Sequence, residues 1–183
     1  MEESLTIYTD EALVNGCLEN DRRFQEYLYN RYASKMYGIC LNYCSDTAAA
    51  KDVLQEGFIK VFKKIGSYQF EGKLEVWIRR IITNTAIDYY RKSSRLNKYL
   101  EDKTLEDRYE AKESILSQLG TQDILNNLKK LPEGARIIFN LYVIEGFTHK
   151  EISEKLQISE GTSKSQYSRA RALLKSLLIE LEA

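Results

Sequence analysis

Lys164, Ser165, Gln166 and Arg169 stand close together just after Ser159, with Arg171 and Lys175 further along. Ammonium, hydroxyl, carboxamide and guanidinium groups at the start of a helix can reach base edges in a major groove. The later cations suit phosphates. That chemistry is recognition, not bond breaking. The chain has no phosphate-cradling glycine loop, no Ser-His or Cys-His pairing on one helix face and no His-Glu-x-x-His. Cys40 and Cys44 share a helix face, but the single histidine, His149, lies far along the chain. The cysteines therefore read as small buried hydrophobes, not zinc ligands. No catalytic residue, metal or cofactor is expected, and the chain is not read as an enzyme.

The elements that must position these groups are helical. Thr148 with Glu151 forms a capping box opening a short helix with Ile152 and Leu156 inward. Gln157 and Ile158 make a tight turn, and Ser159 caps a second helix with Tyr167, Ala170, Leu174 and Leu177 inward. This is the layout of a helix-turn-helix. A helical hairpin with a solvated basic face is the plainer alternative. Upstream, Leu128, Leu131, Ile138, Leu141 and Tyr142 keep helical spacing, Pro132 suits a first helical turn, and Gly146 ends the helix in a left-handed position.

The first half repeats the pattern. Asp21 caps a helix whose buried stripe is Phe24, Tyr27, Leu28, Tyr32, Met36, Ile39, Cys40 and Tyr43. Asp46 caps a second, with Ala50, Leu54, Phe58, Val61, Phe62 and Ile65 inward, stopped by Gly66 and Ser67. A loop, Tyr68 to Lys73, leads into a third helix bearing Trp77, Ile78, Ile81, Ile82, Thr85 and Tyr89. Trp77, the only tryptophan, reads as core. Beyond Ser93 the apolar rhythm fades. Residues 98–114 are charged and nearly core-less, and read as a linker.

The chain is thus expected to be all-α, with two small helical domains, 1–97 and 115–183, joined by an acidic linker, 98–114. One proline and few glycines argue against a β-rich fold, and 43% hydrophobic residues allow real cores. The 27 basic and 27 acidic residues cancel. Their distribution is uneven: residues 67–99 and 160–176 are basic, and 100–123 acidic. Two basic patches around an acidic segment suggest two contacts with one polyanion. No run approaches the ~20 apolar residues of a membrane span. The acidic start, Met1-Glu-Glu, is unlike a secretory signal, so no membrane insertion and a cytoplasmic location are expected.

The run from Glu151 to Ser165, followed by Ser168-Arg-Ala-Arg171, resembles region 4, the promoter-binding domain of small sigma factors of bacterial RNA polymerase. Leu128, Leu131-Pro132, Phe139 and Gly146 fit the same domain. Asp52-Val-Leu-Gln-Glu-Gly-Phe-Ile59 resembles the polymerase-binding segment, region 2.2. Phe70-Glu-Gly72, Trp77-Ile-Arg-Arg-Ile81 and the stretch from Asn84 to Lys92 resemble regions 2.3 and 2.4. The chain is accordingly similar to sigma factors of the extracytoplasmic-function (ECF) type. Three departures stand out: Gln157 replaces a usual turn glycine, Ser163 a usual valine and Gln166 a frequent arginine. A left-handed Gln157 would cost about 1 kcal/mol.

The resemblance implies a promoter-directing initiation factor whose partners are core RNA polymerase and promoter DNA. Family members are often restrained by an anti-sigma protein. Asp52, Gln55, Glu56 and Ile59, which share one helix face, would dock on the polymerase clamp helices. Phe70 and Asn84 would hold a flipped base of the −10 element, with Arg79, Arg80, Arg91 and Lys92 on phosphates. Thr162, Lys164, Ser165, Gln166, Arg169 and Arg171 would contact the −35 element. The rival is a dimeric helix-turn-helix regulator that binds duplex DNA unaided.

Overall fold

The computed structural model describes residues 8–100, 128 and 130–179, with side chains to Ser94 in the first stretch and to Leu177 in the last. Every regular element among the described residues is a helix, with no strand among them. The chain divides into two compact units, Met1–Tyr89 and Tyr90–Ala183, and one long helix runs across the division. Most of the linker expected at 98–114, and the apolar positions Ile115, Leu119, Ile124 and Leu125, lie outside the described residues.

The first unit opens with a helix that apolar periodicity does not mark, α1 (Asp10–Leu18). It is only nine residues long, too short for an apolar repeat to stand out, yet Leu13, Val14 and Cys17 are buried. Side chains anchor its start. Thr9 accepts from the Ala12 N–H, Arg31 donates to the Asp10 carboxylate at 3.3 Å and to the Tyr8 carbonyl at 2.6 Å, and the Tyr32 hydroxyl donates to Asp10 at 3.0 Å.

The helices α2 (Arg22–Tyr43) and α3 (Thr47–Lys64) begin at the caps the sequence marks. Asp21 accepts from the Arg23 N–H at 2.9 Å and Asp46 from the Ala49 N–H at 2.8 Å. The Arg23 guanidinium, then its N–H, holds the Asp21 carboxyl below its ordinary range, and the Ala49 N–H, with the Ser45 hydroxyl, does the same for Asp46. On α2 the buried positions are Leu28, Tyr32, Met36, Cys40 and Tyr43, a narrower stripe than expected. Tyr27 is 44% exposed. It sits about 100° around the helix from Leu28, where its ring meets Tyr8 at 4.9 Å.

The helix α4 (Leu74–Leu100), which begins in the first unit, buries Leu74, Ile78, Ile82, Ala86 and Ile87 there. Gly57 on α3 faces Ile82, where an added Cβ would meet the isoleucine's terminal methyl, so a larger residue here requires that side chain to shift. All three cysteines are buried and free. Burial pushes the Cys40 thiol up to about 12 and the Cys17 thiol up to about 11, which leaves both inert as nucleophiles.

The second unit packs Leu128, Leu131, Ala135, Phe139, Ala170 and Leu174 into its own core. Pro132 caps α5 (Glu133–Phe139), one residue earlier than the first-turn position expected. The helix runs on as a π turn over Asn140–Ile144, and Gly146, at φ +76°, ends it as the sequence predicts. Two further helices follow, α6 (His149–Leu156) and α7 (Glu160–Ile179). No helix among the described residues is long and apolar enough to cross a membrane.

Candidate nucleic-acid interface

The pair α6 and α7 forms a helix-turn-helix with a three-residue turn, Gln157 to Ser159. Both caps are those read from the sequence. Thr148 and Glu151 close a full capping box, and Ser159 accepts from the Thr162 N–H at 2.9 Å. Gln157 lies in the left-handed region at φ 58°, ψ 46°. A side chain there costs roughly 1–2 kcal/mol. Gln157→Gly is therefore expected to stabilise the unit by about 1 kcal/mol, read as a rise of a few °C in melting temperature.

An aromatic cluster sets the pose of α7, and periodicity gives no sign of it beyond the inward Tyr167. Tyr142 stacks on His149 at 4.4 Å and 15°, and Tyr167 meets Tyr142 at 4.6 Å and Phe139 at 6.1 Å. Ser163, wholly buried, is paired at 2.9 Å with Nδ1 of His149. A buried hydroxyl needs such a partner. The π turn that presents Tyr142 was not legible in the sequence.

Burial and the nearby Lys164 ammonium hold His149 below its ordinary pKa of 6.5, partly offset by Glu160. The unfolded chain then binds the proton more readily, so stability rises with pH. The contribution is complete above 6.5 and is lost as pH falls through and below that value. The fall in melting temperature between pH 7.5 and 5.5 is expected to be smaller in His149→Gln than in the parent. Equal falls would remove His149 as the cause.

On the outer side of α7, Thr162, Lys164 and Ser165 are exposed, while Gln166, Arg169 and Arg171 are half-buried. Lys164 pairs with Glu160 at 2.7 Å, and the Arg171 guanidinium lies 5.8 Å from the centre of the Tyr167 ring. All six predicted residues lie on α7, a helix of 20 residues.

In the first unit, Asp52, Gln55, Glu56 and Ile59 are all exposed along one face of α3, Ile59 by 53%. Glu56 pairs with Lys60 at 2.8 Å. The loop before α4 holds Phe70 half-exposed at φ 58°. Its ring lies 5.0 Å from Tyr68, which in turn lies 5.6 Å from Trp77. Trp77, expected in the core, is only half-buried, because it backs this loop. Along α4, Arg79, Asn84 and Arg91 are half-buried, and Arg80 and Lys92 are exposed. Among the described residues no group of three or more His, Cys, Asp or Glu side chains could hold a metal.

These features define a class: two helical units, an exposed acidic-apolar face in the first and a helix-turn-helix in the second. Comparison with known proteins makes the class specific. Residues 28–96 match the family model Sigma-70 region 2, and residues 121–174 match Sigma-70, region 4. The RNA polymerase sigma factor SigZ of Bacillus subtilis (strain 168) is 36% identical, over 73% of this chain and 75% of that protein. The ECF RNA polymerase sigma factor SigM of the same organism is 30% identical, over 82% and 92%. The sigma factor RpoE solved with the anti-sigma factor NepR from Bartonella quintana is 23% identical, over 84% and 95%, with a TM-score of 0.48. This chain belongs to the ECF sigma factors of the sigma-70 family.

Proposed function

We propose that this chain is a transcription initiation factor that binds core RNA polymerase and directs it to promoters, reading a −10 and a −35 element and helping to open the DNA. The observation that carries this reading is the presence of region 2 and region 4 together, in that order, in one chain. A dimeric helix-turn-helix regulator has no use for the first. The phosphoryl-transfer chemistry belongs to the polymerase, so the chain needs no catalytic residue of its own. It works in the cytoplasm, on the polymerase, and an anti-sigma protein is the restraint its family implies.

The division of labour follows the surfaces. Residues 1–97 dock and open, 98–114 span, and 115–183 hold the upstream element. Asp52, Gln55, Glu56 and Ile59 offer an exposed acidic face with an apolar centre, suited to a basic helical partner. Phe70 offers a half-exposed ring on which an unstacked base can lie, with Asn84 as its polar companion. Arg79, Arg80, Arg91 and Lys92 hold the strand by its phosphates. Thr162, Lys164, Ser165, Gln166, Arg169 and Arg171 meet the −35 element.

Reconstituted transcription tests the reading. Core polymerase, this protein and a library of promoter fragments are combined, and the run-off RNA is sequenced. Defined start sites that appear only when the protein is added are the expected result. No transcripts, together with tight dimeric binding to duplex DNA, would return the assignment to a stand-alone regulator.

A further inference from the structure

The loop between α3 and α4 is closed by one side chain that none of the assigned roles uses. Tyr68 is buried to 8% exposure, and its hydroxyl donates to the Gly72 carbonyl at 2.8 Å. Between these two residues the backbone makes two left-handed excursions, at Phe70 (φ 58°) and at Gly72 (φ 81°). Glycine takes such a conformation freely, but a large aromatic residue does not. Phe70 also gains little burial in return, since half of its surface is exposed. A strained, exposed phenylalanine persists only where its surroundings hold it, and strain of this kind gathers at sites that act.

Three contacts do the holding. The Tyr68 ring is fixed from behind by Trp77 at 5.6 Å and supports the Phe70 ring at 5.0 Å. Its hydroxyl ties the far end of the loop. We propose that Tyr68 is a positioning residue for promoter opening: it clamps the Tyr68–Gly72 loop so that Phe70 is presented, already ordered, to an unstacked base. This rests on the reading of Phe70 as a base contact. It adds that the entropy of ordering the platform is met at folding and not when the strands separate.

The test uses full-length protein with core polymerase and a duplex promoter. Opening is followed by permanganate reactivity of unpaired thymines, and core affinity and initial promoter binding are measured beside it. Tyr68→Phe keeps the ring and removes the hydroxyl. It is expected to slow opening about fivefold, the population shift that one hydrogen bond supports, with both binding steps unchanged. Phe70→Gly removes the platform and is expected to slow opening roughly tenfold to a hundredfold. In the Phe70→Gly background, Tyr68→Phe should slow it no further, because Tyr68 acts through Phe70.

Stability gives the second arm. Phe70→Gly should melt above Phe70→Ala, since alanine keeps the left-handed penalty that glycine escapes. Alanine melting at or above glycine overturns the clamp. So does Tyr68→Phe opening at the parent rate while Phe70→Gly is slow, which leaves the base contact itself standing. If Phe70→Gly opens at the parent rate, the base-contact reading fails, and the positioning role fails with it.

Discussion

Reversing Asp52 and Glu56 together to lysine is expected to weaken binding to core polymerase by at least a hundredfold and to leave the fold intact. Both side chains are exposed on α3, away from its buried face of Val53, Leu54, Gly57, Phe58 and Val61. Neither caps the helix, since Asp46 does that. Within the protein the double reversal breaks the Glu56–Lys60 pair at 2.8 Å, a surface i,i+4 pair worth about 0.3–0.5 kcal/mol. The melting temperature should therefore move by no more than a few degrees. At the interface the balance is different. Close charge pairs across interfaces couple by about 1.5–7 kcal/mol, and like charges placed together add repulsion. Two reversals exceed the roughly 2.7 kcal/mol that a hundredfold loss requires. Titrating labelled protein with core polymerase measures it by anisotropy. Binding within threefold of the parent would place the docking face elsewhere.

The caps and the turn of this chain were legible because they rest on bonds within four residues. Asp21, Asp46, Thr148 with Glu151, and Ser159 each bond the backbone N–H groups that their positions predict. The charged face of α3 and the outer residues of α7 were legible for the same reason, because helical spacing alone puts them together. What escaped depends on distant partners. Helix α1 is stable because Arg31 and Tyr32 on α2 hold Asp10. Trp77 leaves the core because a loop folds against it. The π turn at Asn140–Ile144 has no local signature, yet it brings Tyr142 onto His149. Ser163, a small polar residue early in α7, was visible in the sequence. Its partner, fourteen residues earlier, was not.

Replacing Lys164 and Arg169 by alanine is expected to lower transcription from promoters with a matched −35 element by about thirtyfold or more, while core binding stays at the parent level. Both residues lie on the outer side of α7, and Ala170 and Leu174, which anchor that helix, are untouched. An arginine that grips a base edge with two bonds supplies about 1–3 kcal/mol of discrimination. Lys164 contributes differently, because it pairs with Glu160 at 2.7 Å and offsets that carboxylate's charge. Lys164→Ala removes a cation and also leaves the Glu160 charge without this partner, so its effect is expected to exceed that of one missing bond. The double variant should further reduce the slope of log affinity against log salt by up to about 1.8, since each phosphate neutralised accounts for about 0.9. Run-off transcription from paired promoters, one with the −35 element scrambled, separates the two sources of the decline. On the scrambled promoter the parent and the variant should differ only by the phosphate contribution. If the variant falls as far there as on the matched promoter, Arg169 holds the backbone and base reading passes to Thr162, Ser165 and Gln166.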